Sequence, residues 1–230
     1  MRSFFMELNA GKISLQNFMR SLFSGVIIIG LISLAAGYGY HRHSISPRPI
    51  RHTPALRKKD VSENARLSRF AEEAKAFISR HQFNKKYCFL IDMRIASGKK
   101  RFFVYDLIKD SVAEAGMVTH GAGSQTNTEA LQFSNTDHSL ASSLGKYRIG
   151  SEYTGQYGLA YKLFGLEASN SNAYARVVVL HAHPLVPADE VWPQYICTSW
   201  GCPTVNPNFL LVLKGYIRKA DKPVLLWIFY

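Results

Sequence analysis

The sequence predicts a mainly β domain with a few helices, preceded by a transmembrane or signal helix. Short, apolar, β-prone runs separated by turn residues recur from Tyr87 onward, which is typical of antiparallel strands. Two other segments, after residue 60 and after Asn206, place apolar residues at helical spacing. Residues 22–40 form a stretch of nineteen residues without a charge.

The N-terminal part of the chain divides into three segments. Residues 1–21 form a flank, and residues 22–40 come close to the ~20 residues that cross a bilayer. A cleaved signal peptide is the alternative for residues 22–40, because Ala35-Ala36-Gly37 could serve as a small-residue cleavage site. Residues 41–59 contain three prolines and many cations, which indicates an extended linker. Residues 60–230 are the folded domain.

The net charge of +12 lies mostly outside the folded domain. Residues 1–59 carry a balance of +8, and residues 60–230 only +4. Cations beside an apolar segment contact anionic lipid, so we expect a membrane as the partner of the N-terminal segment and no nucleic acid. The larger number of cations that follow residue 40 would by itself keep the domain in the cytoplasm.

The first predicted helix of the domain begins with Ser62 as N-cap and ends near His81. Its apolar face consists of Leu67, Phe70, Ala71, Ala74, Phe77 and Ile78. Predicted strands cover Tyr87–Arg94, Arg101–Leu107, Ala113–His120, Lys146–Tyr153, Leu159–Glu167, Ala173–His183 and Pro223–Tyr230. The second helix begins at Asn206 and Pro207, and its apolar face includes Leu210, Leu213 and Tyr216.

The polar stretch Gly121–Ser143 shows no periodicity. Loops of this length tend to be functional or to cover a site.

The three cysteines differ in their surroundings. Cys88 lies inside an apolar strand pattern, where a cysteine usually packs in the core. Cys197 and Cys202 could form a disulfide, although the loop between them would be tight. Cys202 lies between Gly201, which permits an unusual dihedral, and Pro203, which fixes the chain. A rigid loop of this kind can present a thiolate beside backbone N–H groups that stabilise an oxyanion.

The helix that begins at Asn206 follows Cys202 closely, and its N-terminal end could lower the pKa of the thiol.

A nucleophilic cysteine needs an imidazole, and "RVVVLHAHP" supplies His181 and His183 on one face of the predicted strand. The same pair could bind a metal, but no further ligand motif completes a set, so we expect no metal and no cofactor. Arg176 should point to the opposite face, where a solvated or salt-bridging role is the default. His120 lies beside Gly121 in a turn, where a hydrogen bond within the loop is the default.

Asp189 and Glu190, in the loop before Cys197, could orient His181 or face water, and we favour water.

The order "VVLHAH" followed by "SWGCP" resembles the catalytic domain of the YkuD-type L,D-transpeptidases, in their murein branch. The family signature is a histidine followed, after a loop, by Ser/Thr-x-Gly-Cys, and here His181 precedes Ser199-Trp200-Gly201-Cys202. Upstream, "THGAGS" (119–124), "FSN" (133–135) and "SSLGKYRIG" (142–150) also resemble this branch. Two residues depart from the usual pattern: Trp200 replaces a common histidine, and Ala182 replaces a common glycine.

The resemblance implies a β-sandwich or barrel fold and an acyl transfer between peptidoglycan stem peptides, carried out in the periplasm. It implies that Cys202 is the acylated nucleophile and His181 its proton partner, with Ser199, Trp200 and Gly201 shaping the oxyanion loop. His183, His120 and Arg176 are possible substrate-binding residues. The alternatives are an L,D-carboxypeptidase that uses water as acceptor and a non-catalytic protein that binds the cell wall.

Overall fold

This computed structural model describes residues 54–128 and 130–230, which contain eight β-strands and two α-helices. The helices are α1 (Pro54–Arg80) and α2 (Pro207–Lys219). The strands are β1 (Tyr87–Asp92), β2 (Phe102–Asp106), β3 (Ser111–Gly116), β4 (Gly145–Gly155), β5 (Gly158–Gly165), β6 (Val179–Ala182), β7 (Thr204–Val205) and β8 (Leu225–Phe229). The prediction of a mainly β domain with a few helices is confirmed.

All eight strands belong to one sheet in the order β3-β2-β1-β8-β4-β5-β6-β7. The pairs β1–β8 and β6–β7 are parallel, and the other neighbours are antiparallel. Val118, just after β3, forms a bridge with Val205 in β7. The two ends of the sheet therefore meet at one corner, and the sheet curls around an interior.

The two faces of the central strands pack in different ways, because side chains alternate along a strand. Phe89 and Ile91 of β1 face the interior of the curled sheet, together with Leu226 and Ile228 of β8. Helix α1 covers the opposite face of the same strands. This second core contains Leu67, Ala71, Ala74 and Ile78 of α1, Cys88 and Leu90 of β1, and Leu225 and Trp227 of β8. Cys88 is fully buried there, which confirms its predicted packing role.

Helix α2 begins as the sequence predicts. The Asn206 side chain accepts a hydrogen bond from the N–H of Asn208 at 2.9 Å, and Pro207 is the first helical residue. Leu210 and Leu213 are buried in the interior core, so the predicted apolar face of α2 is confirmed.

Three predicted boundaries are wrong. Helix α1 starts at Pro54, so Ser62 is not its N-cap; residues 55–80 contain no glycine or proline to delay the start. Strand β3 ends at Gly116, short of the predicted His120. Residues 173–177 form turns, so the predicted strand Ala173–His183 begins only at Val179, and Val177 has a φ of +55° despite its β-branched side chain.

The predicted segments 1–21 and 22–40 lie outside the described residues, as does most of the linker assigned to residues 41–59. Within residues 54–128 and 130–230, none of the helices has the length and apolar character needed to span a membrane.

Candidate active site

Cys202 lies two residues before β7, at the end of the tight turn that contains Gly201. Gly201 has a φ of +111°, and a Cβ there would lie 2.8 Å from the carbonyl oxygen of Ala141, so both backbone conformation and space favour glycine. The Cys202 Sγ accepts from the N–H of Val179 at 3.5 Å and lies 3.8 Å from the carbonyl oxygen of Val177. The thiol is thus fixed against the backbone at the start of β6.

Two hydroxyl groups donate to the carbonyl oxygen of Cys202, Ser199 Oγ at 2.6 Å and Thr119 Oγ1 at 3.3 Å. Thr204 Oγ1 lies 3.5 Å from the same oxygen. Ser199 Oγ also accepts from the N–H of Gly201 at 3.2 Å. The N–H group of Gly201 is therefore already bound within the loop.

His181 lies in β6, opposite Thr204 in β7. Its Nδ1 is 3.1 Å from the carbonyl oxygen of Ala182, and its Nε2 is 3.0 Å from Thr204 Oγ1. A carbonyl oxygen only accepts, so Nδ1 carries the proton and Nε2 is the acceptor. Burial lowers the pKa of His181, although the Ala182 carbonyl opposes this, so the ring is neutral at pH 7.

His181 lies in β6 and Cys202 lies just before the parallel strand β7, and no hydrogen bond joins the two side chains. Cys202 is next to Val179, two residues before His181, which corresponds to roughly 7 Å along a strand. Both ring nitrogens of His181 are occupied by partners other than Cys202. The resting arrangement is therefore a neutral imidazole held by Thr204 and a thiol held by backbone groups.

The pKa of the Cys202 thiol is raised, because burial outweighs the N–H of Val179 and the charge of Arg176. The expected lowering of this pKa by the N-terminal end of α2 stays a prediction. A thiol that is protonated at rest needs a base at the moment of attack.

Arg176 does not lie on a strand, contrary to the sequence prediction, and it does not form a salt bridge in the described part of the chain. Its guanidinium donates to the carbonyl oxygens of Ala141 at 2.7 Å and Ser134 at 2.9 Å. It also donates to Ser139 Oγ at 3.2 Å and Ser143 Oγ at 3.5 Å. Arg176 thus fastens the long polar loop beside the turn at Gly201, and its charge is left without a carboxylate partner.

His120 is buried beside the fully buried Arg101, whose Nη2 lies 3.0 Å from His120 Nδ1. Because arginine only donates, Nδ1 of His120 is the acceptor and Nε2 carries the proton. Nε2 is buried and has no hydrogen-bond partner among the residues that the structure describes. Burial and the charge of Arg101 lower the pKa of His120 to about 4. The carbonyl oxygen of His120 accepts from the N–H of Ser199 at 2.9 Å. This bond connects the Arg101–His120 pair to the cysteine loop, Ser199–Cys202.

The remaining predicted site residues lie at the rim. His183 follows the end of β6, where its Nδ1 accepts from the N–H of Leu185 at 3.2 Å. Trp200 is 77% exposed at the tip of the cysteine loop. Cys197 is half-buried and unpaired, as is Cys202, so the alternative disulfide is absent. Glu190 does more than face water, because its Oε1 accepts from the N–H of Lys100 at 2.8 Å.

Three residues near the site escaped the sequence analysis: Thr119, Thr204 and Tyr157. Tyr157, at the tip of the β4–β5 hairpin, stacks on the His181 ring with a centroid distance of 5.3 Å. Thr119 opens the block "THGAGS" that resembles the family, although no role followed from it, and Thr204 lies two residues after Cys202. Tyr157 carried no signal. Among the described residues, no group of three or more His, Cys, Asp or Glu side chains could hold a metal ion.

A family model described as the L,D-transpeptidase catalytic domain matches residues 61–227, and the chain belongs to this family. The family comprises cysteine-dependent enzymes that act on peptidoglycan stem peptides. No curated protein matches the sequence.

Several solved structures are similar in fold. The helical cell shape determining protein Pgp2 from Campylobacter jejuni is 15% identical, with a TM-score of 0.40, over 64% of this chain and 49% of that one. Bd1075 from Bdellovibrio bacteriovorus is 17% identical, with a TM-score of 0.39, over 64% and 51%. The L,D-transpeptidase of Xylanimonas cellulosilytica (its residues 123–326) is 11% identical, with a TM-score of 0.37, over 65% and 62%. The chain spans less than two thirds of the length of each.

Proposed function

We propose that this chain is a peptidoglycan L,D-transpeptidase in which Cys202 is the nucleophile and His181 the proton acceptor. The observation that carries the proposal is the position of the two side chains. The Cys202 thiol is fixed at the start of β6, and His181 lies two residues further along the same strand with a neutral ring. A substrate carbonyl that approaches the thiol would lie within reach of both groups.

Thr204 supplies a way to release the base. Its hydroxyl lies 3.0 Å from His181 Nε2 and 3.5 Å from the carbonyl oxygen of Cys202. A rotation of this hydroxyl towards the carbonyl frees the Nε2 lone pair without leaving the hydroxyl unpaired. His181 then accepts the thiol proton as the thiol turns away from Val177 towards the substrate.

In the acylation step, the Cys202 thiolate attacks the carbonyl carbon of the peptide bond after the L-centre of diaminopimelate in a tetrapeptide stem. The C–S bond forms, the C–N bond breaks, and protonated His181 gives its proton to the departing D-Ala amine. The backbone N–H of Cys202 is our candidate donor to the oxyanion, since that of Gly201 is held by Ser199. A thioester on Cys202 remains.

In the second step, the side-chain amine of another stem attacks the thioester. His181 accepts a proton from the amine and returns it to the cysteine sulfur as the C–S bond breaks. The product is a 3→3 cross-link, and the thiol is restored.

Purified full-length protein incubated with tetrapeptide muropeptides tests this proposal by mass spectrometry. We expect an adduct that maps to Cys202 and equals the stem minus D-Ala, followed by cross-linked dimers. Cys202→Ala should abolish both adduct and product. Cys197→Ala is the matched control, because it removes a half-buried thiol five residues away and should retain activity.

The products also separate the alternatives. Tripeptide stems without dimers would indicate an L,D-carboxypeptidase. No adduct and no product with the wild type would overturn the proposal and favour a protein that only binds the wall.

The proposed substrate places the domain on the periplasmic side of the inner membrane, anchored or exported through residues 22–40. This placement opposes the charge bias around that segment. A reporter fused to the C-terminus checks it: activity of a cytoplasm-only reporter would contradict a substrate in the cell wall.

A further inference from the structure

A cavity of about 340 Å³ opens on the surface next to the segment that leads to the cysteine loop. It lies between the turn after β1, the long polar loop at Leu131, the segment Trp192–Tyr195 and Tyr230. No step of the proposed acyl transfer uses it.

Three aromatic side chains in this cavity remain open to solvent. Trp192 is 43% exposed, Tyr195 57% and Tyr230 37%. The rings of Trp192 and Tyr195 are perpendicular, with centroids 5.7 Å apart, so they present two differently oriented faces. Such a concentration of exposed aromatic surface in a concave site is typical of a place that binds a ligand.

Hydrogen bonds to the turn before β2 hold the segment Trp192–Tyr195 in place. The carbonyl oxygen of Gly98 accepts from the N–H groups of Val191 at 2.9 Å and Trp192 at 3.0 Å. The N–H of Ile196 donates to Ser97 Oγ at 3.3 Å. Gly98 packs so closely that a Cβ there would lie 1.9 Å from the carbonyl oxygen of Gln194. The rings are therefore preorganised, which lowers the entropic cost of binding.

Arg94 adds a cation to the cavity. Its guanidinium lies 5.4 Å from the centroid of the Tyr230 ring, and Arg94 forms no ion pair within residues 54–128 and 130–230. A ligand with carboxylate substituents would supply the missing counter-charge.

The cavity is connected to the candidate active site in two ways. Ile196 directly follows the segment Trp192–Tyr195, and five residues lie between it and Cys202. Arg101 lines the cavity and also donates to His120, whose carbonyl oxygen binds the N–H of Ser199. A polymer bound in the cavity would thus lie beside the loop that carries the nucleophile.

We propose that this aromatic cavity binds the glycan strand of peptidoglycan, through its N-acetylated hexosamine rings. A pyranose ring has an apolar C–H face that stacks on an aromatic ring and a polar rim that binds hydroxyl and N–H groups. Trp192, Tyr195 and Tyr230 offer both kinds of surface, and Arg94 faces the carboxylates of the attached stem peptides. The inference rests on the proposed function, because it makes the glycan and the stem two parts of one substrate.

Binding of stem-free glycan tests the site without any catalysis. The probes are glycan strands stripped of their peptides and the tetramer of N-acetylglucosamine, titrated calorimetrically into the full-length protein. We expect Trp192→Ala and Tyr195→Ala each to weaken binding about tenfold or more. Tyr174→Ala is the matched control, because Tyr174 is also an exposed tyrosine and lies outside the cavity. Thermal unfolding checks that each variant is folded.

A kinetic comparison separates failure of this inference from failure of the proposed function. The wild type should have a lower KM for a disaccharide tetrapeptide than for the free tetrapeptide. Trp192→Ala should remove that difference, whereas Tyr174→Ala should retain it. Absence of glycan binding by the wild type, or equal KM values with normal thioester formation, would overturn the glycan site and leave the transpeptidase proposal intact. Glycan binding that depends on Trp192, without a thioester at Cys202, would instead overturn the proposed function.

Discussion

At Cys202, burial and the charge of Arg176 act on the thiol pKa in opposite directions, and burial has the larger effect. Burial also lowers the pKa of His181, so the two groups are neutral together at pH 7. This differs from cysteine enzymes whose thiol is ionised at rest by a charged histidine.

The resting state predicts the pH dependence of alkylation. In a Cys197→Ala background, the rate of reaction of Cys202 with iodoacetamide should keep rising above about pH 8.5, because the pKa of its thiol is higher than this ordinary value. Arg176→Met should move the profile to still higher pH, since it removes the cation that favours the thiolate. Arg176→Lys retains the charge, so its alkylation profile should lie close to that of the wild type. A plateau already at pH 6–7 would show a thiolate–imidazolium pair and contradict this description.

His120 predicts an acid-dependent loss of stability. Its pKa is about 4 in the folded protein and about 6.5 when unfolded, so the unfolded state binds the proton first as the pH falls. The free energy of unfolding should therefore decrease from about pH 6.5 to about pH 4, by up to roughly 3 kcal/mol.

Urea denaturation at several pH values measures this loss. His120→Gln retains an acceptor for Arg101 and should reduce the dependence to the part that the lowered pKa of His181 contributes. His138→Gln, at an exposed histidine, should leave the dependence unchanged. A dependence of undiminished size in His120→Gln would assign the titration to another group.

At the scale of single elements, α1 stabilises the domain by covering one face of β1 and β8. Ile78 is 2% exposed at this contact. Ile78→Ala should lower the free energy of unfolding by about 2–4 kcal/mol, through lost burial and a remaining cavity. Lys75→Ala, on the exposed side of the same helix, should change it by less than about 0.5 kcal/mol. Equal effects in urea denaturation would mean that α1 does not pack as described.

Helices and strands whose apolar residues recur at regular spacing could be predicted from the sequence, because that spacing follows from which side chains are buried. The apolar face of α1 and strands β1, β2 and β8 match their predicted positions within a few residues. The error at residues 173–178 has an identifiable cause. The pattern "ARVVV" predicts a strand, but the turn that places Arg176 beside the polar loop requires a positive φ at Val177. Contacts across the chain outweighed β propensity there.

The candidate site could be predicted in part. A motif on one short segment identified Cys202, Gly201 and Ser199, because the turn geometry is encoded within a few residues. Thr119 and Tyr157 come from segments far apart in sequence, and only the curled sheet brings them to Cys202 and His181. Their roles depend on tertiary pairing, which local patterns do not contain.

At the scale of the whole molecule, the sheet joins two parts of the chain that are remote in sequence. Strands β1–β3 form one part, β4–β7 the other, and β8 lies between β1 and β4. Cys202 and His181 both belong to the second part, whereas the buried Arg101–His120 pair reaches them from the first.

The central position of β8 has a consequence for the order in which the protein assembles. Leu225–Phe229 follows every other strand in the sequence, yet β1 and β4 have no neighbour on their facing edges until it is present. Pairing of such remote segments is slow, because a long loop must close before any contact forms. A chain that is still being synthesised therefore exposes the open edges of β1 and β4, and during that interval it is most vulnerable to aggregation.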